Sequence, residues 1–391
     1  MLHKNAIMAV HPIHAYLCDH LNEMTALLEQ MVRLETPSLD PDSQAPMIQL
    51  LTEALESVDF EVRHIRGKRS GGHLLAVPKR RSRGRPAQLL LGHCDTVWPL
   101  GTLRTMSLII EHGIMKGPGV YDMKAGLAQM LYVLKALRDL GLEPPLTPIV
   151  FINSDEEVGS RESTRTIRRL ARIVSRCFVL EPSLDIDGKL KTARKGVGRF
   201  AVTIRGRAAH AGLNPEAGAS AILELSHVIQ KLFGLNDAEK GITVNVGMID
   251  GGLRANVIAP ESSALVDVRV LTGEDARRIE KTILSLEAET PGVTLEIEGR
   301  IGRPPMERTR ANRALWNRAL NLAHSLDLPL QEGVSGGASD GNTTSLFTAT
   351  LDGLGAVGDG AHATHEYADL SQIPERGALL GLLLMSPLAD D

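Results

Sequence analysis

The sequence predicts an α/β protein with a doubly wound, mostly parallel sheet, interrupted by a smaller α+β domain. Three observations carry this. After Leu91 the hydropathy pattern runs strand, helix, strand, helix, as in a parallel sheet covered on both faces. From about Lys195 to Pro304 it changes to four alternating strands and two helices, which suits a ferredoxin-like domain. The α/β texture then resumes. The expected domains are therefore a discontinuous one, 1–194 with 305–391, and an inserted one, 195–304.

Taken in order, Leu17, Leu21, Met24, Leu28 and Met31 recur at helical spacing and predict one amphipathic helix, ending near Thr36-Pro37. A second helix is expected over 46–55, and 60–65 alternates as a strand. Lys79, Arg80, Arg81, Arg83 and Arg85, with Pro and Gly around them, read as a solvated hairpin loop. Helices are expected over 125–140 and 161–171, and buried strands over 148–153 and 177–180. In the insertion, strands are expected over 197–204, 242–249, 262–271 and 293–297, with helices over 218–233 and 273–289. Helices over 312–326 and 371–385 complete the chain.

Composition narrows the class. Apolar residues make up 43% of the 391 positions and aromatics 3%, so the core is built from aliphatic side chains. The formal charge of -4 argues against nucleic-acid and polybasic membrane partners. Three cysteines without a Cys-x-x-Cys pair give neither a disulfide framework nor a thiolate zinc site. Residues 1–10 lack a long apolar segment, so no signal peptide is expected. The expected setting is the cytoplasm.

The chemistry-bearing residues fall at strand ends, where such sheets place their ligands. His93 and Asp95 close the apolar run Leu89-Leu90-Leu91-Gly92 and, two apart in extended chain, face the same way. Asp122 opens a helix; Glu156 and Glu157 follow the strand ending at Asn153; Glu181 follows Phe178-Val179-Leu180; His362 lies near the chain end. Two histidines and three carboxylates suit a pair of divalent ions with N and O ligands. Zinc fits best, with Mn2+ and Co2+ as alternatives. Adjacent glutamates allow one to bind metal while the other acts as general base.

These residues sit in motifs: Gly-His-Cys-Asp-Thr-Val, Gly-Val-Tyr-Asp-Met-Lys-Ala-Gly, Ser-Asp-Glu-Glu-Val-Gly-Ser, Leu-Glu-Pro, Gly-Arg-Ala-Ala-His-Ala-Gly, Gly-Gly-Ala-Ser-Asp-Gly-Asn and a terminal His-x-x-x-Glu. Together they resemble the dizinc aminoacylase/carboxypeptidase family of metallo-exopeptidases, closest to its glutamate carboxypeptidase branch, from about Glu35 onward. The resemblance implies two Zn2+ per chain. His93 is then a ligand oriented by Asp95, Asp122 bridges, Glu157 and Glu181 each bind one metal, and His362 completes the second. Glu156 is the general base and acid. A cis Asp122-Met123 peptide is also implied. His365 is the rival to His362, and the spacing to Glu366 favours His362.

The same resemblance makes the inserted domain a lid and homodimerisation domain. His210, expected at a hairpin end, reaches substrate in the partner subunit. Asn256 and Arg269 hold the substrate carbonyl and carboxylate. Gly336-Gly337 offers backbone amides to substrate, and Lys124 is expected to be a local charge partner of Asp122. The implied activity is hydrolysis, by metal-activated water, of an amide next to a free carboxylate. The substrate is a small peptide, as for a carboxypeptidase releasing glutamate or a similar residue, or an N-acyl amino acid, as for a deacylase. A non-catalytic binding homologue would lack a ligand or the base, and every position is filled.

Overall fold

The computed structural model describes residues 11–82 and 84–388. Residues 1–10, read above for a signal segment, and Arg83 of the basic run lie outside the described residues. The chain forms two compact units. One comprises the chain up to Thr192, Arg308–Gly333, and the chain from Ser339 onward; the other comprises Ala193–Glu307 with Val334–Ala338.

The first unit is built on a six-stranded sheet: β1 (Phe60–Ile65), β2 (His73–Pro78), β3 (Ala87–His93), β4 (Thr147–Asn153), β5 (Arg176–Val179) and β6 (Ala349–Leu351). The order is β1-β2-β4-β3-β5-β6. β3 is parallel to β4 and β5, and β6 is parallel to β5; β1 and β2 form an antiparallel edge. Apolar runs are what strands buried on both faces require. Leu90, Val150, Ile152 and Phe178 face one core with helices Pro12–Asp19, Leu21–Arg33, Ala45–Ser57, Ala125–Asp139 and Ile373–Met385. Leu89, Leu91, Phe151, Cys177 and Val179 alternate to the other face, against Ile167 and Leu170 of helix Thr164–Ala171. This is the doubly wound arrangement.

Two local expectations are corrected. The first helical stripe is split, because the chain breaks at His20 (φ -105°, ψ 12°) between helices Pro12–Asp19 and Leu21–Arg33. The basic run is not a hairpin loop either. It joins β2 to β3, and β4 lies between those strands in the sheet.

A smaller antiparallel sheet of Ile109–Glu111, Ile114–Lys116, Gly358–Asp359 and Tyr367–Asp369 serves the site. Tyr367 pairs with Lys116, which lays the segment carrying His362 and Glu366 against Gly117–Asp122.

The second unit has the order β-α-β-β-α-β. Strands Thr243–Gly251, Glu261–Val270, Gly196–Arg205 and Thr294–Arg303 lie side by side in that order, all antiparallel. Phe200, Val202, Ile204, Val266 and Val268 pack on Leu225, Val228 and Ile279 of helices Ala221–Phe233 and Gly273–Leu284. This is the ferredoxin-like arrangement.

Candidate metal centre

β3 delivers His93, 2% exposed, at its carboxyl end. The ring Nδ1 lies 3.0 Å from the carbonyl oxygen of Asp95 and 3.5 Å from Asp95 Oδ1. Both are acceptors, so Nδ1 carries a proton. Nε2 then faces Asp122 Oδ1 at 3.2 Å and Glu181 Oε1 at 3.4 Å. Cys94, between His93 and Asp95, turns the other way into the core, as strand alternation requires.

Asp122 Oδ2 lies 3.6 Å from His362 Nε2, which is 3.0 Å from Glu157 Oε2. Each oxygen of Asp122 therefore faces a different histidine. An oxygen of Glu156 lies within 4.8 Å of ligand atoms of His93 and Glu181, and one of Glu157 lies as close to His93 and Asp122. His365 lies beside Gly360, where an added Cβ would meet its ring Cδ2 at 2.9 Å.

The electrostatics call for positive charge. Burial disfavours a charged His93, yet hydrogen bonds with Asp122, Asp95 and Glu181 outweigh it and hold the ring well above its ordinary pKa. Burial, with the charge of Asp122, pushes the Glu157 carboxyl up to about 7. The hydrogen bond to Glu157 raises His362 to about 9. A cluster of N and O donors in which carboxylates crowd two imidazoles satisfies itself with protons or with divalent cations. The N and O donor set fits divalent metal ions such as zinc, which His93, Asp122 and Glu181 would hold on one side and Asp122, Glu157 and His362 on the other.

Several residues around the cluster hold its side chains and backbone in place. Asp95 Oδ1 accepts the N–H of Glu156, and Oδ2 accepts the N–H of Glu157, each at 3.2 Å; Ser38 Oγ donates to Oδ2 at 2.6 Å. One carboxylate thus positions a ligand and the adjacent glutamates together. Glu366, 1% exposed, accepts from the N–H groups of Gly119, Tyr121 and Asp122 at 2.9, 2.9 and 3.1 Å and from the Trp98 indole at 2.8 Å. Gly119 has φ 71°, and a Cβ there would meet Thr96 Cγ2 at 2.4 Å, so only glycine fits this turn. The Asp122-Met123 peptide is cis. Asp340 accepts from Asn153 Nδ2 at 2.7 Å and Ser160 Oγ at 2.5 Å, bracing the loop that carries Glu156 and Glu157. Lys124 is not the charge partner expected of it. It is buried and its ammonium donates to the Leu34 carbonyl at 2.9 Å.

The expected substrate residues belong to the second unit. His210 is exposed and lies in the connection from strand Gly196–Arg205 to helix Ala221–Phe233, not at a hairpin end. Its Nδ1 accepts from Gly212 and Leu213 N–H at 3.2 and 3.1 Å, which leaves Nε2–H as a donor. Asn256 is its neighbour, the Asn256 carbonyl accepting from Ala211 N–H at 3.0 Å. Arg269 is paired with Asp267 at 2.7 Å and reaches the Gly336 carbonyl at 3.5 Å, beside Gly337. These two groups sit at opposite ends of one sheet. Arg205 pairs with Glu261 at the His210 end, and Val197 with Arg269 at the other. Eight residues of strand separate them, roughly 26 Å.

Comparison with known proteins fits this geometry. The model of peptidase family M20/M25/M40 matches residues 89–386. Carboxypeptidase G2 of Pseudomonas sp. (strain RS-16) is 29% identical over 366 residues, covering 92% of this chain and 88% of its own. Acetylornithine deacetylase of Myxococcus xanthus is 28% identical over 289 residues, 70% of this chain and 73% of its own. Among solved structures, aminopeptidase PepT of Bacillus cereus ATCC 10987 superposes with a TM-score of 0.77 at 19% identity, covering 93% of this chain and 98% of that one. A dinuclear metal-binding M20 peptidase of Bacillus subtilis gives 0.70 at 13% identity, covering 94% and 98%. The chain therefore belongs to peptidase family M20/M25/M40 and is a metal-dependent hydrolase of that family.

Proposed function

We propose that the protein hydrolyses an amide bond next to a free carboxylate, as a glutamate carboxypeptidase does, with two zinc ions per chain. The supporting observation is Asp122, whose two oxygens face His93 and His362 separately. Two divalent ions held there would supply the positive charge that polarises a carbonyl and acidifies water. Glu156 takes the proton of the attacking water and returns it to the leaving amine. Asp95 fixes the His93 ring and the backbone at Glu156, so that ligand and base keep their spacing. Arg269 and Gly337 bind the carboxylate end of the substrate; His210 and Asn256 act on its carbonyl.

The roughly 26 Å between these two pairs in one chain supports a homodimer, each substrate meeting one pair from each subunit. Three cysteines, all free, suit a reducing compartment, and we place the enzyme in the cytoplasm. No helix among the described residues is long and apolar enough to cross a membrane.

The similarity to acetylornithine deacetylase favours a second reading, N-acyl-amino-acid deacylation by the same chemistry. A panel of dipeptides and N-acyl amino acids, each with free and amidated C-termini, separates the two. Hydrolysis is expected for the free acids alone, with two zinc ions per active chain and loss of activity on chelation. Equal turnover of the amides, or full activity with fewer than two ions, refutes the proposal.

A further inference from the structure

The outer side of helix Thr164–Ala171 is a line of unpaired cations. Its inner side is spent on the core, with Ile167, Leu170 and Ala171 buried. Arg165, Arg168 and Arg172 follow three and four residues apart, so they lie one above the other on the exposed side. Arg161 and Arg169 flank them, giving five arginines and one acid, Glu162, in residues 161–172. That acid is committed elsewhere. Glu162 accepts from the N–H groups of Lys68, Arg69 and Ser70 at 3.0, 3.0 and 3.2 Å and from Ser70 Oγ at 2.9 Å. Lys68 and Arg69, both exposed, are thereby held against the residue next to Arg161. Among the described residues none of these seven cationic side chains forms an ion pair.

At its far end the line meets an apolar corner. The Arg172 guanidinium lies over the Phe347 ring, 4.5 Å from its centroid, and Thr348 Oγ1 donates to the Val174 carbonyl at 3.0 Å. Ile173, 69% exposed, and Leu346, 49% exposed, ride on these adjoining segments.

Solvated helix faces ordinarily mix both signs. Here Arg161 and Arg165, Arg165 and Arg169, and Arg168 and Arg172 are like-charge neighbours, which weakens a helix. Arg165 also stands in the first turn, against the positive end of the helix dipole. Stability of the fold therefore does not account for the line. The chain as a whole carries -4 while residues 68–69 with 161–172 carry +6, so the rest sums to -10 and the patch runs against the charge of the molecule.

Guanidinium groups select planar oxyanions. Nucleic acid fits poorly, because Arg172 already covers a face of the one aromatic ring present, where a base would stack. A bilayer fits poorly too, because the apolar side of the helix is packed in the core and cannot enter lipid. We infer that this face docks an acidic polypeptide segment of a partner protein. Its carboxylates lie along Arg165, Arg168 and Arg172, and an aliphatic residue beyond them rests on Ile173 and Leu346. The inference does not depend on the hydrolase reading.

The test is fluorescence anisotropy of the full-length, zinc-loaded protein with an N-terminally labelled peptide, octaglutamate followed by Leu-Phe-Leu. Its C-terminus is amidated, and ionic strength is kept low, where surface pairs are least screened. Arg165→Ser, Arg168→Ser and Arg172→Ser combined should weaken binding roughly tenfold, about two- to threefold for each exposed pair. Lys79→Ser, Arg80→Ser and Arg81→Ser combined remove the same charge from the other basic run and should change it by less than about twofold. Ile173→Ser with Leu346→Ser should abolish a preference of about threefold or more for this peptide over plain octaglutamate. The substituted positions are on the surface, and matching melting curves guard against misfolding. No binding, no preference for the apolar end, binding that the first triple leaves intact, or equal loss in both triples overturns the docking face. So does tighter binding, lost in the first triple, to single-stranded DNA of equal charge or to phosphatidylserine vesicles, which would give the face to nucleic acid or to membrane.

Discussion

Glu366 Oε1 accepts the backbone N–H of Asp122 at 3.1 Å, so the residue between the two histidines is held from behind by a carboxylate 244 positions away. The other donors to Glu366 come from Gly119, Tyr121 and Trp98. In Glu366→Gln an amide NH2 must face one of these N–H groups, leaving donors unmatched in a buried setting. Metal affinity should weaken by roughly 10–100-fold, as for other groups that orient ligands. Competition with a chromophoric zinc chelator measures this, and unchanged affinity would remove the positioning role.

Glu156 and Glu157 are adjacent yet differently engaged. Glu157 contacts His362, while Glu156 lies with His93 and Glu181. Glu156→Gln should retain both metals and bind substrate while kcat drops by ~10²–10⁴. Glu157→Gln should lose metal. Zinc content and single-turnover rates on the two proteins decide; the reverse pattern would exchange their roles.

His210 presents Nε2–H outward and is proposed to act in the partner's site, where loss of such a donor typically costs ~10²–10³ in kcat. Mixing inactive His210→Ala with inactive Glu156→Ala protein under subunit exchange should restore activity, because a hybrid dimer has one site with both defects and one with neither. A mixture that stays inactive places His210 in its own chain's site.

Glu224 gives a pH-dependent prediction for the second unit. It is fully buried and accepts from Glu289 N–H at 3.1 Å and Thr290 N–H at 2.7 Å. Burial raises its pKa, but hydrogen bonds from Thr290 and Glu289 outweigh that and hold the carboxyl below its ordinary value. A depressed folded-state pKa contributes stability above the unfolded value, about 4.3, that is lost as pH falls through the folded one. Glu224→Gln should cost roughly 1–3 kcal/mol at neutral pH, with a smaller difference below about pH 4. Parallel Tm curves at every pH would contradict this.

What could be read in the sequence follows from where the physics is local. β3, β4 and β5 announce themselves as apolar runs, and His93, Glu156 and Glu181 are legible because they come just after such runs. The strand β2 and the basic loop were not, since the pairing of β2 with β4 rather than β3 is non-local. Glu366, Ser38 and Asp340 escaped for another reason. Glu366 takes most of its bonds from backbone N–H groups, and Ser38 and Asp340 depend on partners far along the chain. Glu366 and Asp340 sit in motifs, but the motifs do not show which groups these carboxylates hold, and Ser38 lies in no motif at all. Lys124 misled by proximity, because its carbonyl partner belongs to a distant segment.

Arg194 and Met306 exchange both backbone hydrogen bonds at 3.0 Å, so the second unit begins and ends on touching strands. The stumps of the first unit touch as well, Arg308 Nε donating to Thr192 Oγ1 at 2.9 Å. An insertion with this geometry behaves as a cassette. A lineage could acquire it, lose it or exchange it for a short turn without dragging apart the strands that flank it. Evolution could then revise the inserted unit while leaving the metal-ligand cluster of the first unit in place.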